Sequence, residues 1–104
     1  MNQAEVLKNR QYRGQIMRMV ALFQPAPVTI KQLRLSLQEY GLTYGADIAQ
    51  YIHYLADDTD KKSPPYIRVE DGFLKEVTDD DKVYITKAGI KLIEGSIVDP
   101  DVPL

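Results

Sequence analysis

The sequence predicts a mainly α-helical domain completed by a small antiparallel β-hairpin. Three stretches carry apolar residues at helical spacing, two later stretches alternate and are rich in β-formers, and a last helical stretch follows the second of these. With 104 residues, 44% hydrophobic and 27% charged, the chain suits one compact soluble domain. We expect that domain over residues 1–95.

The first helix is expected over residues 4–23. Tyr12, Ile16, Met19, Val20 and Phe23 recur at spacings of three and four and share one stripe, with Arg18 on the opposite side. Gly14 weakens its middle, and Pro25 and Pro27 end it. Thr29 starts the second helix, because Thr29-Ile30-Lys31-Gln32 has the capping-box pattern. Ile30, Leu33, Leu37 and Tyr40 form its inner face, and Gly41 is the expected left-handed stop. Thr43 then caps a third helix over residues 44–58, with Ile48, Ile52 and Leu55 inward and Tyr51 at the margin. A link as short as Gly41-Leu42-Thr43 makes the two axes cross steeply, which is helix-turn-helix geometry.

Residues 66–70 and 82–86 read as strands. Between them, Asp71-Gly72 is a turn, Phe73 to Val77 fits a short strand or one helical turn, and residues 78–81 are a loop. Thr86 caps a short helix over residues 87–94, stopped by Gly95, with Ile90 and Ile93 or Leu92 inward. Pro100 and Pro103 make residues 96–104 an extended or disordered tail.

Composition narrows function. The absence of cysteine excludes a disulfide scaffold, a cysteine zinc site and a redox dithiol. No apolar run approaches the roughly 18–20 residues of a membrane span, and the polar, mixed-charge start is unlike a signal peptide, so a cytoplasmic location is expected. No paired nucleophile and base, phosphate loop or metal-ligand spacing is present. His53 is the single histidine. Asp57, Asp58 and Asp60 resemble the start of a calcium loop that lacks its glycine and closing glutamate. We therefore expect no catalytic residue, metal or cofactor. The tyrosines are expected at the edge of the core with their hydroxyls in water, leaving Tyr44 and Tyr54 available to a partner.

The order of elements resembles the winged helix-turn-helix family. The most family-like stretch is Lys82-Val83-Tyr84-Ile85-Thr86-Lys87-Ala88-Gly89-Ile90-Lys91-Leu92-Ile93-Glu94-Gly95, which is similar to the second wing strand and C-terminal helix of many bacterial regulators. The resemblance covers residues 12–95 and implies a small regulator of bacterial or bacteriophage type. It would bind double-stranded DNA by placing the third helix in the major groove. On that resemblance Tyr44, Asp47, Gln50, His53 and Tyr54 are the base-facing candidates, Gln50 being able to pair bidentately with adenine. Arg10, Arg13, Lys31 and Arg34 are the candidates for phosphate contact, which needs positive charge and reach.

Charge is unevenly placed. Residues 1–52 hold six bases and three acids, whereas residues 53–104 hold seven bases and twelve acids. The expected recognition helix has no Lys or Arg, and the expected wing, residues 70–82, has six acids against two bases. Nucleic-acid binders often have a domain pI above about 9; here it is 5.3. The same fold with an acidic wing would also serve as a protein-interaction module for a basic partner. Val6, Leu7 and Leu35 fall outside the apolar stripes and are candidates for a partner or homodimer contact.

Overall fold

The computed structural model of the chain describes residues 2–39, 48–70 and 76–104. Within them lie helices α1 (Gln3–Phe23), α2 (Ile30–Glu39), α3 (Ile48–Ala56) and α4 (Lys87–Ile93) and strands β1 (Val28–Thr29), β2 (Ile67–Val69) and β3 (Lys82–Ile85). The strands form one antiparallel sheet in the order β1-β3-β2. The Cα radius of gyration is 12.7 Å, against about 13 Å for a compact chain of 100 residues. The expected link 41–43, the first residues of the expected third helix, Tyr40 and residues 71–75 lie outside the described residues.

The expectation of a mainly helical domain with a small antiparallel hairpin holds, with one strand more. Val28 pairs with Val83 and Thr29 with Lys82. Two residues after Pro27, the second of them the helix cap, are too few to show a period, so pattern does not reveal this strand. Val83 sits at its centre, opposite Val28 on one side and Val69 on the other, and all three are buried.

The centre of the molecule is α1, which packs on α2, α3, α4, β1 and β3. Asn2 caps it through Oδ1, which accepts the Glu5 amide at 2.9 Å. Its buried face is Tyr12, Ile16, Met17 and Val20. The expected stripe was therefore slightly rotated: Met19 is half-buried and Phe23 is exposed. The inner faces of α2 (Ile30, Leu33, Leu37) and α3 (Ile48, Ile52, Leu55) are as expected, whereas Tyr51, placed at the margin, is buried. The capping box forms: Gln32 N–H donates to Thr29 Oγ1 at 3.2 Å and Thr29 N–H to Gln32 Oε1 at 2.9 Å. At α4, Thr86 Oγ1 accepts the Gly89 amide. Gly95 takes φ 84°, and the Ser96 amide donates to the Lys91 carbonyl, which closes the helix.

Two expectations about the periphery need correction. Residues 96–104 do not form an extended or disordered tail: they turn back and dock on α1. Val102 is 1% exposed. The Asp99 carboxylate accepts the Tyr66 hydroxyl at 2.7 Å, and Asp101 pairs with Arg10 at 3.1 Å. The Pro103 carbonyl lies against Gly14 Cα, where a Cβ would collide with it. Gly14, a weak point by propensity, is thus what admits the tail. Pro100 and Pro103 suggested a free end because their backbone cannot enter a helix, but turns accept them.

Nor do three of the tyrosines, Tyr12, Tyr51 and Tyr66, keep their hydroxyls in water. Tyr51 donates to Asn9 Oδ1 at 2.9 Å, Tyr66 donates to Asp99, and Tyr12 is 2% exposed with its hydroxyl unpartnered. Tyr12 meets Tyr51 edge to face, ring centroids 5.4 Å apart, a contact that the ring alone makes. A buried hydroxyl without a partner costs about 1–3 kcal/mol. Tyr12→Phe is therefore expected to stabilise the fold by about 1 kcal/mol, raising Tm by several degrees in a thermal melt.

Candidate nucleic-acid interface

The outward face of α3 carries Gln50, His53 and Tyr54, all exposed. Positions i, i+3 and i+4 are neighbours on a helix surface. The opposite face is fixed by Ile48, Ile52 and Leu55 packing towards α1 and β2, which commits these three side chains to the outside. Tyr44 and Asp47, the other two base-facing candidates, lie outside the described residues.

Beside this face sits Arg13 of α1. Its guanidinium lies over the Tyr54 ring, 4.2 Å from the centroid, and its Nε donates to the Asn9 carbonyl at 3.3 Å. Cation–π contact of this kind holds a guanidinium in place without neutralising it. A cation from α1 is thereby fixed next to the outward side chains of α3.

The other phosphate candidates are engaged differently. Arg34 of α2 grips Asp79 with both terminal nitrogens, at 2.6 and 2.7 Å. Arg10 pairs with Asp101. Lys31 is exposed. The loop before β3 is bound to the start of α2 by backbone as well: the Ile30 amide donates to the Asp81 carbonyl at 3.0 Å and the Lys31 amide to the Asp79 carbonyl at 3.1 Å. With Thr29 and Gln32 capping each other, the first amides of α2 are occupied from within. Neither carboxylate partner was legible in the sequence; Arg34 and Asp79 are 45 positions apart.

Sequence patterns also did not single out Arg68 on β2. It stacks over Tyr84 of β3, 4.3 Å from the ring centroid, on the exposed side of the strand. Of the proposed partner contacts, Leu7 and Leu35 are exposed, at 56% and 50%, and Val6 is half-buried. Leu22 and Val98 are more exposed still.

The acidic loop after α3 is organised by its own turns. Asp57 Oδ1 accepts both the Thr59 hydroxyl and the Thr59 amide, which hold its carboxyl below the usual carboxylate range. Asp60 Oδ1 accepts the Lys62 amide. Among the described residues no three His, Cys, Asp or Glu side chains converge to hold a metal. Burial, followed by the hydrogen bond to Asp99 and that carboxylate's charge, pushes the Tyr66 phenol well above its ordinary range. No helix among the described residues is long and apolar enough to cross a membrane.

Comparison of the chain with protein-family models, with curated proteins and with solved structures gives no match.

Proposed function

We propose that this chain is a winged-helix domain that binds double-stranded DNA as a small regulator, with α3 as its reading helix. The observation that carries this reading is Arg13 lying on Tyr54. It puts an unneutralised guanidinium on the rim of the exposed face formed by Gln50, His53 and Tyr54, on a helix that has no Lys or Arg of its own. Gln50 supplies a bidentate amide for a base edge, His53 and Tyr54 supply hydrogen-bonding and stacking surface, and Arg13 with Lys31 supplies phosphate contact. Leu7 and Leu35 offer apolar surface for a second copy of the chain.

The test is duplex association followed by fluorescence anisotropy across a salt series from about 50 to 200 mM. Binding should weaken steeply over that range. Arg13→Glu should lower affinity about tenfold and reduce the slope of log K against log salt by about 1. No association at the lowest salt, or an unchanged Arg13→Glu protein, would overturn the reading.

A second reading rests on the two ion pairs. Arg10 and Arg34 already hold Asp101 and Asp79, while Asp57, Asp58, Asp60, Glu70, Glu76 and Asp80 are all exposed. That distribution suits docking of a basic protein. It predicts a complex that forms without nucleic acid and is insensitive to Arg13→Glu.

A further inference from the structure

The negative half of the chain contains a positive groove. Lys62, from the loop after α3, and Lys87 and Lys91, one turn apart on α4, line an open cavity of about 420 Å³ together with Ser63, Tyr66 and Ile97. Lys87 and Lys91 are an i, i+4 pair, so they stand on one face of the helix. None of the three lysines makes an ion pair among the described residues. No carboxylate among the described residues lines the groove. That is notable in residues 53–104, where twelve acids outnumber seven bases and a random cluster would be acidic. Asp60 and Asp99, the acids bonded to groove residues, are both turned to other work. Asp60 accepts the Lys62 backbone amide and Asp99 accepts the Tyr66 hydroxyl.

We propose that this groove binds a small organic molecule bearing a phosphate group. Three lysines that form no ion pair among the described residues suit a compact, multiply charged anion, and lysine binds phosphate as a point charge. The remaining wall is Ser63, Pro64, Ala88, Ile97 and Tyr66, whose hydroxyl is committed elsewhere. It gives one further hydroxyl for an anionic oxygen and an apolar surface that free phosphate would leave wet. The volume falls in the range of small-molecule sites, about 300–1,000 Å³. None of these residues belongs to the α1–α3 face proposed for DNA, so the two assignments stand or fall separately.

Phenyl phosphate, inorganic phosphate and phenol distinguish the parts of the assignment. Each is titrated into the full chain at low salt while backbone amide NMR shifts are followed. Phenyl phosphate should give saturable shifts confined to the amides of Lys62, Ser63 and Tyr66 and of residues 87–91, with a Kd of about 1 mM or tighter. Inorganic phosphate should bind those amides at least about tenfold more weakly, and phenol should leave them unmoved. The double variant K87Q/K91Q, which changes two exposed or rim side chains, should keep the spectrum's dispersion and lose about tenfold or more in affinity. The proposal is overturned if phenyl phosphate gives no saturable shift up to about 10 mM, if K87Q/K91Q binds it as well as the parent, or if inorganic phosphate binds equally tightly. It is also overturned if a short DNA duplex, and not phenyl phosphate, produces the shifts that K87Q/K91Q abolishes; the groove is then a nucleic-acid contact.

Discussion

Gly14→Ala should destabilise the protein by about 2 kcal/mol, although helix propensity alone would have it stabilise by about 1 kcal/mol. Position 14 lies in the middle of α1, and a methyl there meets the Pro103 carbonyl. Helix backbone cannot yield, so the tail must. Lifting it exposes Val102, whose burial is worth about 1.5–3 kcal/mol. It also breaks the half-buried bond from Tyr66 to Asp99, worth about 1 kcal/mol. The Arg10–Asp101 pair is half-exposed and adds little. Urea unfolding of Gly14→Ala measures the net effect. The decisive control is the same change in a Val102→Asn background, where the tail is already released. There Gly14→Ala should stabilise by about 1 kcal/mol. A change of sign between backgrounds identifies tail docking as the cause, whereas stabilisation in both would show that position 14 reports only on helix propensity.

If the chain binds DNA as proposed, replacing Asp79 should strengthen that association, although the substitution removes an ion pair. Arg34 spends its guanidinium on this one carboxylate, so a phosphate must compete for it. Asp79→Asn removes the competitor and adds one effective phosphate contact. By counterion release at about 0.1 M salt, one contact changes the binding constant about eightfold. Asp79→Lys adds a second cation, for an increase of about sixtyfold and a salt slope steeper by about 2. The fold should tolerate both, because an ion pair this exposed contributes about 1 kcal/mol at most. Anisotropy titrations of the parent and the two variants over one salt series test the order. If Asp79→Lys binds DNA no better than the parent, α2 does not lie against the phosphates. Weaker binding of a basic protein by Asp79→Lys would instead favour the interaction-module reading.

Much of the framework was legible because α2 and α3 write their inner faces at regular spacing. Ile30, Leu33 and Leu37 could be read from position alone, as could Ile48, Ile52 and Leu55, and the two threonine caps follow from hydroxyl chemistry at a fixed offset. What was not legible is nonlocal. Val28 becomes a strand residue only because Val83 comes to lie opposite it. Residues 99–104 become ordered only because Gly14 leaves a gap and Tyr66 presents a hydroxyl. The site divides the same way. The outward side chains Gln50, His53 and Tyr54 follow from the helical period, and so does their exposure. That Arg13 stands beside them, that Arg34 and Arg10 have carboxylate partners, and that Lys62 joins Lys87 and Lys91 depend on contacts between distant segments. Total charge concealed this: the acidic half holds a cationic groove, and the basic half has two of its arginines countered by acids from the other half.

Thr29 serves two elements at once, as the last residue of β1 and the cap of α2. There is no slack between sheet and helix at this joint. A one-residue slip of β1 along β3 would turn Val28 out of the core, and the same slip would pull the Thr29 hydroxyl away from the Gln32 amide. Strand slippage and fraying of the helix are therefore a single event, with one free energy of opening. The joint ties the cooperativity of the sheet to that of α2, and hence to the placement of Arg34 and Lys31.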